Sequence, residues 1–316
     1  MLKPELTGIA QKILNQKYQS DEPVKTICPL KGGEWSAAYR YSCGGDSFVI
    51  RVSHTPENFC RDNIASRFSS PSLPIPKIYM IGQYEDYYYA ISTFYPGEAL
   101  ERLPTADLEK TVPEFLSMMT AMRSINLDSV TGYGALTSAG QGAYQSWHEF
   151  LLDISNDRPD SLTYGWSKAL SEIPLAHSRF EQIFGRLKKL VQFCPEQKHL
   201  IHSDLIYQNL LVYNHRISAV LDWGCAMIGD PVYDIACFAL YEPWFPAFSQ
   251  VNLIQKMKQS YLNHSSENQK NFMQRILAYQ THLALGNIAY CAFSRRDKDF
   301  HDNINRIEKV LEKDLT

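Results

Sequence analysis

No C-x-x-C pair occurs among the seven cysteines, which are Cys28, Cys43, Cys60, Cys194, Cys225, Cys237 and Cys291. Their odd number and scattered positions fit reduced thiols rather than a disulfide framework, so the cytoplasm is the expected location. No window approaches the run of about eighteen apolar residues that marks a membrane-crossing helix. Positive charge is not in excess either. Lys and Arg number 31 against 34 Asp and Glu, a formal net charge of -3 with a pI near 6.3. That balance argues against a dedicated nucleic-acid binder, and it tolerates a small cationic ligand. Internal repeats and low-complexity tracts are also missing. What is present, 316 residues with 45% hydrophobic and 21% charged, is the makeup of a globular enzyme long enough for two lobes.

The N-terminal Leu6, Ile9, Ile13 and Leu14 recur at helical spacing with Gln11, Lys12 and Asn15 between them. This predicts an amphipathic helix and not the apolar run of a signal peptide. Val24 to Pro29, Ala37 to Ser42 and Ser47 to Val52 are rich in β-formers, with Gly44-Gly45 joining the last two into a hairpin. Cys60 to Ser69 carries Ile64, Ala65 and Phe68 at helix spacing, and the Pro-rich stretch from Pro71 to Pro76 then forces extended backbone. Ile78 to Ile81 and Tyr87 to Ile91 predict two more strands, and Ser92 to Gly97 breaks the pattern.

A lobe boundary is expected there, with a β-rich lobe over residues 1–94 and a mostly helical one over 95–316. Helical periodicity runs from Leu108 to Met122, with Pro113 marking a kink or the junction of two short helices. It returns at Leu175 to Phe193, Leu253 to Tyr261, Phe272 to Ala292 and Asn303 to Leu311. One hairpin, Leu210 to Tyr213 and Ile217 to Leu221, interrupts the helices.

Chemistry gathers at the two ends of that hairpin. The run His202-Ser203-Asp204-Leu205-Ile206-Tyr207-Gln208-Asn209 has the H-x-D-x-x-x-x-N spacing of a phosphoryl-transfer loop, in which the Asp faces the attacking hydroxyl and the Asn holds Mg²⁺. Asp222 follows the second strand, 222 − 209 = 13 residues after Asn209, which is what two short strands and a turn need to return the chain beside its start. Separately, each residue has an ordinary alternative as a turn or helix cap. Their joint occurrence favours a catalytic set, with His202 holding the loop. Downstream, Gly229-Asp230-Pro231-Val232-Tyr233-Asp234 reads as a helix start with Asp230 as N-cap and Pro231 at the first position, and Asp234 is expected to brace the catalytic loop.

The sequence from His199 to Leu240 resembles the aminoglycoside phosphotransferase family: H-x-D-x-x-x-x-N, then Asp222-Trp223, then G-D-P-x-x-D follow in order. Phe48 to Val52, Leu73 to Pro76, Thr131 to Gly134 and Ser146-Trp147 extend the likeness, most closely toward the hygromycin-phosphorylating branch. The resemblance implies an α+β, bilobal, protein-kinase-like fold. It also implies transfer of the γ-phosphoryl of ATP or GTP to a hydroxyl of a small cationic aminoglycoside; a monomer is expected. Asp204 would be the catalytic base, and Asn209 and Asp222 the Mg²⁺ ligands. Gly33 and Ser36 would lie in the phosphate-covering loop, Arg51 and its acidic partner Asp62 would act on the phosphates, and Ser92, Thr93 and Phe94 would form the adenine hinge.

Three positions depart from the pattern. Arg51 stands where protein kinases carry Lys, the Gly32-Gly33 segment lacks G-x-G-x-x-G and could be an ordinary turn, and Ser203 stands where many members have Gly. None of these removes a required charge. For the acceptor, Glu242 and Trp244 offer a carboxylate and an aromatic face, with an exposed carboxylate and a core aromatic as the plain alternative; Tyr207 either faces the acceptor or fills the loop. A kinase of small metabolites or macrolides, and a nucleotide-binding pseudokinase, are the competing functions.

Overall fold

The computed structural model describes residues 4–18, 27–30, 35–206, 208–263, 269–296, 304–305 and 308–309. Alternation of buried and exposed side chains near the N-terminus produces one antiparallel sheet of five strands, in spatial order Cys28–Pro29, Ala37–Cys43, Asp46–Ser53, Tyr87–Thr93 and Ile78–Tyr84. Gly44 and Gly45, both at positive φ (60° and 86°), make the tight turn between the second and third strands, a conformation that suits a residue without Cβ. The helix Pro4–Lys17 lays Leu6, Ala10, Ile13 and Leu14 against Tyr39, Tyr41, Ile50, Val52 and Ile91, closing a small core of its own. The fourth strand continues through Ser92 and Thr93, past the break read from sequence, because these residues pair with Val49 and Phe48. Ladder partners override the weak local signal of Ser-Thr.

The second, larger core is organised by helices. Thr105–Arg123 is a single helix that contains Pro113, not two helices. The proline is exposed, so the carbonyl it leaves unbonded faces water while Leu108, Val112, Phe115, Met118 and Met122 keep the opposite face buried. Ala176–Leu190, Leu253–Leu262 and Phe272–Phe293 fall where periodicity places them. Of the helix expected at Asn303 to Leu311, most lies outside the described residues.

The hairpin is Leu210–Tyr213 and Arg216–Val220, closed by Asn214 and His215 alone, both left-handed at φ 50° and 61°. It is not the only β-structure here. Glu98–Ala99 adds a third strand to it, and Gly142–Tyr144, Tyr133–Leu136, Met227–Gly229 and His199–Ile201 form a separate four-stranded sheet. These strands are two to four residues long, too short to leave a period-2 signature in sequence.

The G-D-P segment shows how the core fixes the region around the site. A Cβ on Gly229 would lie 2.4 Å from the buried Trp147 ring, so no larger residue fits there without moving the indole. Asp230 is more than the helix cap expected of it. Its Oδ1 accepts the main-chain N–H of Val232 at 3.1 Å, and the helix starts one residue later than expected, at Val232. Its carboxylate is also held bidentately by Arg275, Nε to Oδ2 at 2.7 Å and Nη2 to Oδ1 at 2.6 Å, and accepts from Tyr279 at 2.6 Å. Both members of the pair are fully buried, 1% and 0% exposed. Removing one charge would leave the other stranded in the interior. Arg275→Met is therefore expected to destabilise the fold by about 3–5 kcal/mol in a denaturant titration.

Burial also lowers the His282 pKa to about 3; the His282 ring lies against Phe150, and its Nδ1 is 2.8 Å from the Tyr233 hydroxyl. The unfolded chain protonates this histidine near 6.5 and the folded chain does not, so stability is lost as pH falls from about 6.5 toward 3. His282→Gln should flatten that part of the melting-temperature profile. An unchanged slope would rule His282 out as a source of the acid sensitivity.

Candidate active site

The strand His199–Ile201 leads into the loop, and the first hairpin strand leads out of it. His202 is buried at the loop's start, its ring 4.6 Å from that of Trp223. Its Nδ1 accepts the main-chain N–H of Asp204 at 3.2 Å, so Nε2 carries the proton and donates to the Leu221 carbonyl at 2.8 Å. Burial lowers its pKa to about 4, which keeps the ring neutral and this arrangement intact. Ser203 adopts a left-handed φ of 65°, and Asp234 holds it there by accepting the main-chain N–H groups of Ser203 at 2.7 Å and His202 at 3.1 Å.

Asn209 Nδ2 donates to the Asp204 main-chain oxygen at 2.7 Å and to its carboxylate Oδ2 at 3.1 Å. The amide nitrogen is thereby engaged, which leaves Oδ1 as the acceptor atom of the side chain. Burial pushes the Asp204 carboxyl up to about 7, the Asp222 carboxylate adds to the rise, and the Asn209 amide opposes it. A carboxyl that ionises near neutrality and is fixed by a neighbouring amide is suited to receiving a proton from a hydroxyl.

The Leu221 N–H bonds the Asn209 carbonyl at 2.7 Å, which brings the hairpin ends together. Asp222 follows, exposed and left-handed at φ 55°. Its position depends on the next residue: the Trp223 N–H donates to Asp62 Oδ1 at 2.7 Å, while Asp62 Oδ2 pairs with Arg51. Burial works against the Arg51 charge, and the Asp62 and Asp222 carboxylates outweigh it, raising its pKa. Arg61, one residue before Asp62, clamps the same turn through Nη1 to the Gly224 carbonyl at 2.7 Å and Nε to the Leu136 carbonyl at 2.8 Å. Arg61 was not singled out from sequence. Its position beside Asp62 is the only signal the sequence offers.

The remaining expected residues are spread around this centre. Ser36 directly precedes the second strand, and Ser92 and Thr93 end the fourth, Ser92 buried and Thr93 half-buried. The Phe94 ring lies under the Arg40 guanidinium at 4.2 Å. Glu242 and Trp244 form a short turn after the helix Val232–Tyr241, both half-buried, with Trp244 edge-on to Tyr241 at 5.9 Å. Gly33 and Tyr207 lie outside the described residues.

A profile of the phosphotransferase enzyme family matches residues 26–261. Hygromycin-B 4-O-kinase of Escherichia coli is 33% identical over 253 residues, 79% of this chain and 72% of that protein. The chain belongs to the aminoglycoside phosphotransferase family. Its members are kinases that act on a hydroxyl, and the fold agrees. The crystal structure of aminoglycoside phosphotransferase APH(4)-Ia superposes with a TM-score of 0.83 at 26% identity, over 97% of this chain and 98% of that one. A thermostable mutant of the same protein, in a ternary complex with AMP-PNP and hygromycin B, matches at 0.82 and 26%, over 96% and 97%. Spectinomycin phosphotransferase APH(9)-Ia shares the fold at a TM-score of 0.60 and 14% identity, over 98% and 97%.

Within such a kinase, Asp62, on the helix Glu57–Ala65, is the point where sheet, helix and loop meet. Asp62→Asn keeps the side-chain shape and removes the charge that fixes Arg51. The variant should bind AMP-PNP about tenfold more weakly, on the order of 1.4 kcal/mol. Calorimetric titration checks this, and unchanged affinity would separate Asp62 from nucleotide binding.

Proposed function

We propose that this kinase transfers the γ-phosphoryl of ATP or GTP to a hydroxyl of an aminoglycoside, with hygromycin B the first acceptor to test, and so confers resistance to the antibiotic. One observation carries this most directly: Asp204, ionising near neutrality, is bonded to Asn209 at the place where the hairpin returns Asp222 beside them. Asp204 receives the acceptor hydroxyl's hydrogen bond and then its proton. Asn209 fixes the Asp204 carboxylate, and Asp234 and His202 fix the loop that carries both. Arg51, oriented by Asp62, binds phosphate oxygens. Gly33 and Ser36 cover the phosphates, and Ser92, Thr93 and Phe94 line the adenine. Residues 1–94 then act as the nucleotide lobe and 95–316 as the acceptor lobe.

Among the described residues no group of three or more His, Cys, Asp or Glu could hold a metal ion. Mg²⁺ takes one or two carboxylates plus phosphate oxygens and water and needs no such all-protein cage. Asn209 Oδ1 and the exposed Asp222 would hold it, and when bound it offsets the phosphate charge.

Negative charge around Asp204 from Asp222, Asp234 and Glu101 suits a cationic acceptor. Glu242 lies 242 − 234 = 8 residues beyond Asp234 on one helical path, about 12 Å at 1.5 Å per residue. That is the scale of a multi-ring sugar, with Trp244 covering a ring face.

A coupled ADP- or GDP-release assay across aminoglycosides, choline, amino alcohols, sugars and macrolides tests the acceptor. Turnover with hygromycin B is the expected result. Silence with every aminoglycoside and turnover of another compound would assign a metabolite or macrolide kinase, and tight nucleotide binding with no transfer would assign a pseudokinase. Asp204→Asn is expected to lower kcat by roughly 10²- to 10⁴-fold with the fold intact. Near-normal turnover in that variant would remove Asp204 from the mechanism.

A further inference from the structure

Among the described residues, the catalytic loop holds two non-glycine residues in the left-handed region, Ser203 at φ 65° and Gln208 at φ 78°. Such a conformation costs of order 1 kcal/mol or more for a residue with a Cβ and persists only when its surroundings impose it. Asp234 is the imposing group at Ser203. At Gln208 the corresponding group comes from a residue outside every motif in the chain.

Glu98–Ala99 pairs with the first hairpin strand antiparallel, Ala99 opposite Leu211 and Glu98 opposite Val212. The chain then leaves the strand in a single 3₁₀ turn, Leu100–Arg102, which carries Glu101 and packs against the hairpin strand just beyond Asn209. Burial raises the Glu101 carboxyl, and the main-chain N–H groups of Glu101 and Gln208 act in the other direction, favouring its charged form. The carboxylate therefore sits against the Gln208 peptide. Its Oε2 is buried, with no hydrogen-bond partner among the described residues. A half-buried carboxylate with one oxygen unmatched is an arrangement that stability alone disfavours. Glu101 also adds to the negative charge felt by Asp204.

We propose that Glu101 is a positioning residue for phosphoryl transfer. Its carboxylate holds the Gln208 N–H in the left-handed turn, and that turn aims Asn209 at Asp204. Asp234 and Glu101 then staple the loop at its two ends, each by accepting main-chain N–H where the backbone is strained. The inference rests on the kinase reading above, since it concerns how Asn209 is presented.

The test compares Glu101→Ala, Glu101→Gln and the double variant Glu101→Ala with Gln208→Gly. Two readouts are taken: kcat with the best acceptor, and the Mg²⁺ concentration giving half of the AMP-PNP-induced rise in melting temperature. Glu101→Ala should lower kcat about tenfold and raise the Mg²⁺ half-point severalfold, the scale seen when a supporting partner of a ligand is removed. KM for the acceptor should stay within about twofold of wild type. Glu101→Gln retains a carbonyl oxygen for the N–H and should recover most of both losses. Gln208→Gly should rescue Glu101→Ala in part, because glycine adopts the left-handed turn without being held.

Wild-type kcat and Mg²⁺ half-point in Glu101→Ala would overturn the proposal. So would a double variant no better than the single one, or an acceptor KM that rises while kcat holds. If Glu101→Ala does not fold, Glu101→Gln against Gln208→Gly decides: both near wild type supports the proposal, and a tenfold loss in Glu101→Gln overturns it. A wild-type protein that shows no Mg²⁺-dependent nucleotide shift would instead sink the kinase reading itself.

Discussion

One carboxylate joins the two packed bodies of the molecule. Asp62 receives Arg51 from the five-stranded sheet on one oxygen and the Trp223 N–H from the end of the hairpin on the other. It is 4% exposed, so both bonds act in a medium where charge-assisted contacts are strong and an unmatched charge is expensive. The sheet has its own core under the N-terminal helix, and the helical part has a separate and larger one. The registration of Arg51 with Asp222 therefore depends on a polar contact and not on continuous apolar packing. Arg61 strengthens the same joint from the adjacent position.

The larger body repeats this strategy at its centre. Asp230 and Arg275, with Tyr279 and Tyr261, form a closed polar cluster among aromatic rings. The helix that Asp230 helps begin carries Asp234 in its first turn, aimed at Ser203 and His202. Rigidity is thus passed from a buried ion pair to a helix terminus and on to the loop carrying Asp204. His202 belongs to this chain of support. Its neutral imidazole ties the loop to the Leu221 carbonyl, beside Asp222.

Much of this was legible beforehand. His202 to Asn209, Asp222-Trp223 and Gly229 to Asp234 are local patterns, and a hairpin whose polar ends stand thirteen positions apart (222 − 209 = 13) has few ways to close. The helices Leu253–Leu262 and Phe272–Phe293 are long enough for periodicity to be unambiguous. The short strands were not readable, since Tyr133–Leu136, His199–Ile201 and Met227–Gly229 exist because each finds a partner distant in sequence. Arg275 was hidden because a single cation in an apolar helix names no partner, and Asp230 looked like a cap because capping is the local explanation. Glu101 carries no motif at all; only the pairing of Ala99 with Leu211 brings it to the loop.

The left-handed backbone at Ser203, Gln208 and Asp222 has a consequence for how such a protein can change over generations. Each strained residue is tolerated because the surrounding framework has stability in reserve, and that reserve limits which further substitutions the chain survives. Variants that broaden the acceptor range by altering the loop draw on the same reserve. Mutations that firm the distant core around Asp230 and Arg275 would then act as permissive steps, silent by themselves and necessary for later adaptation.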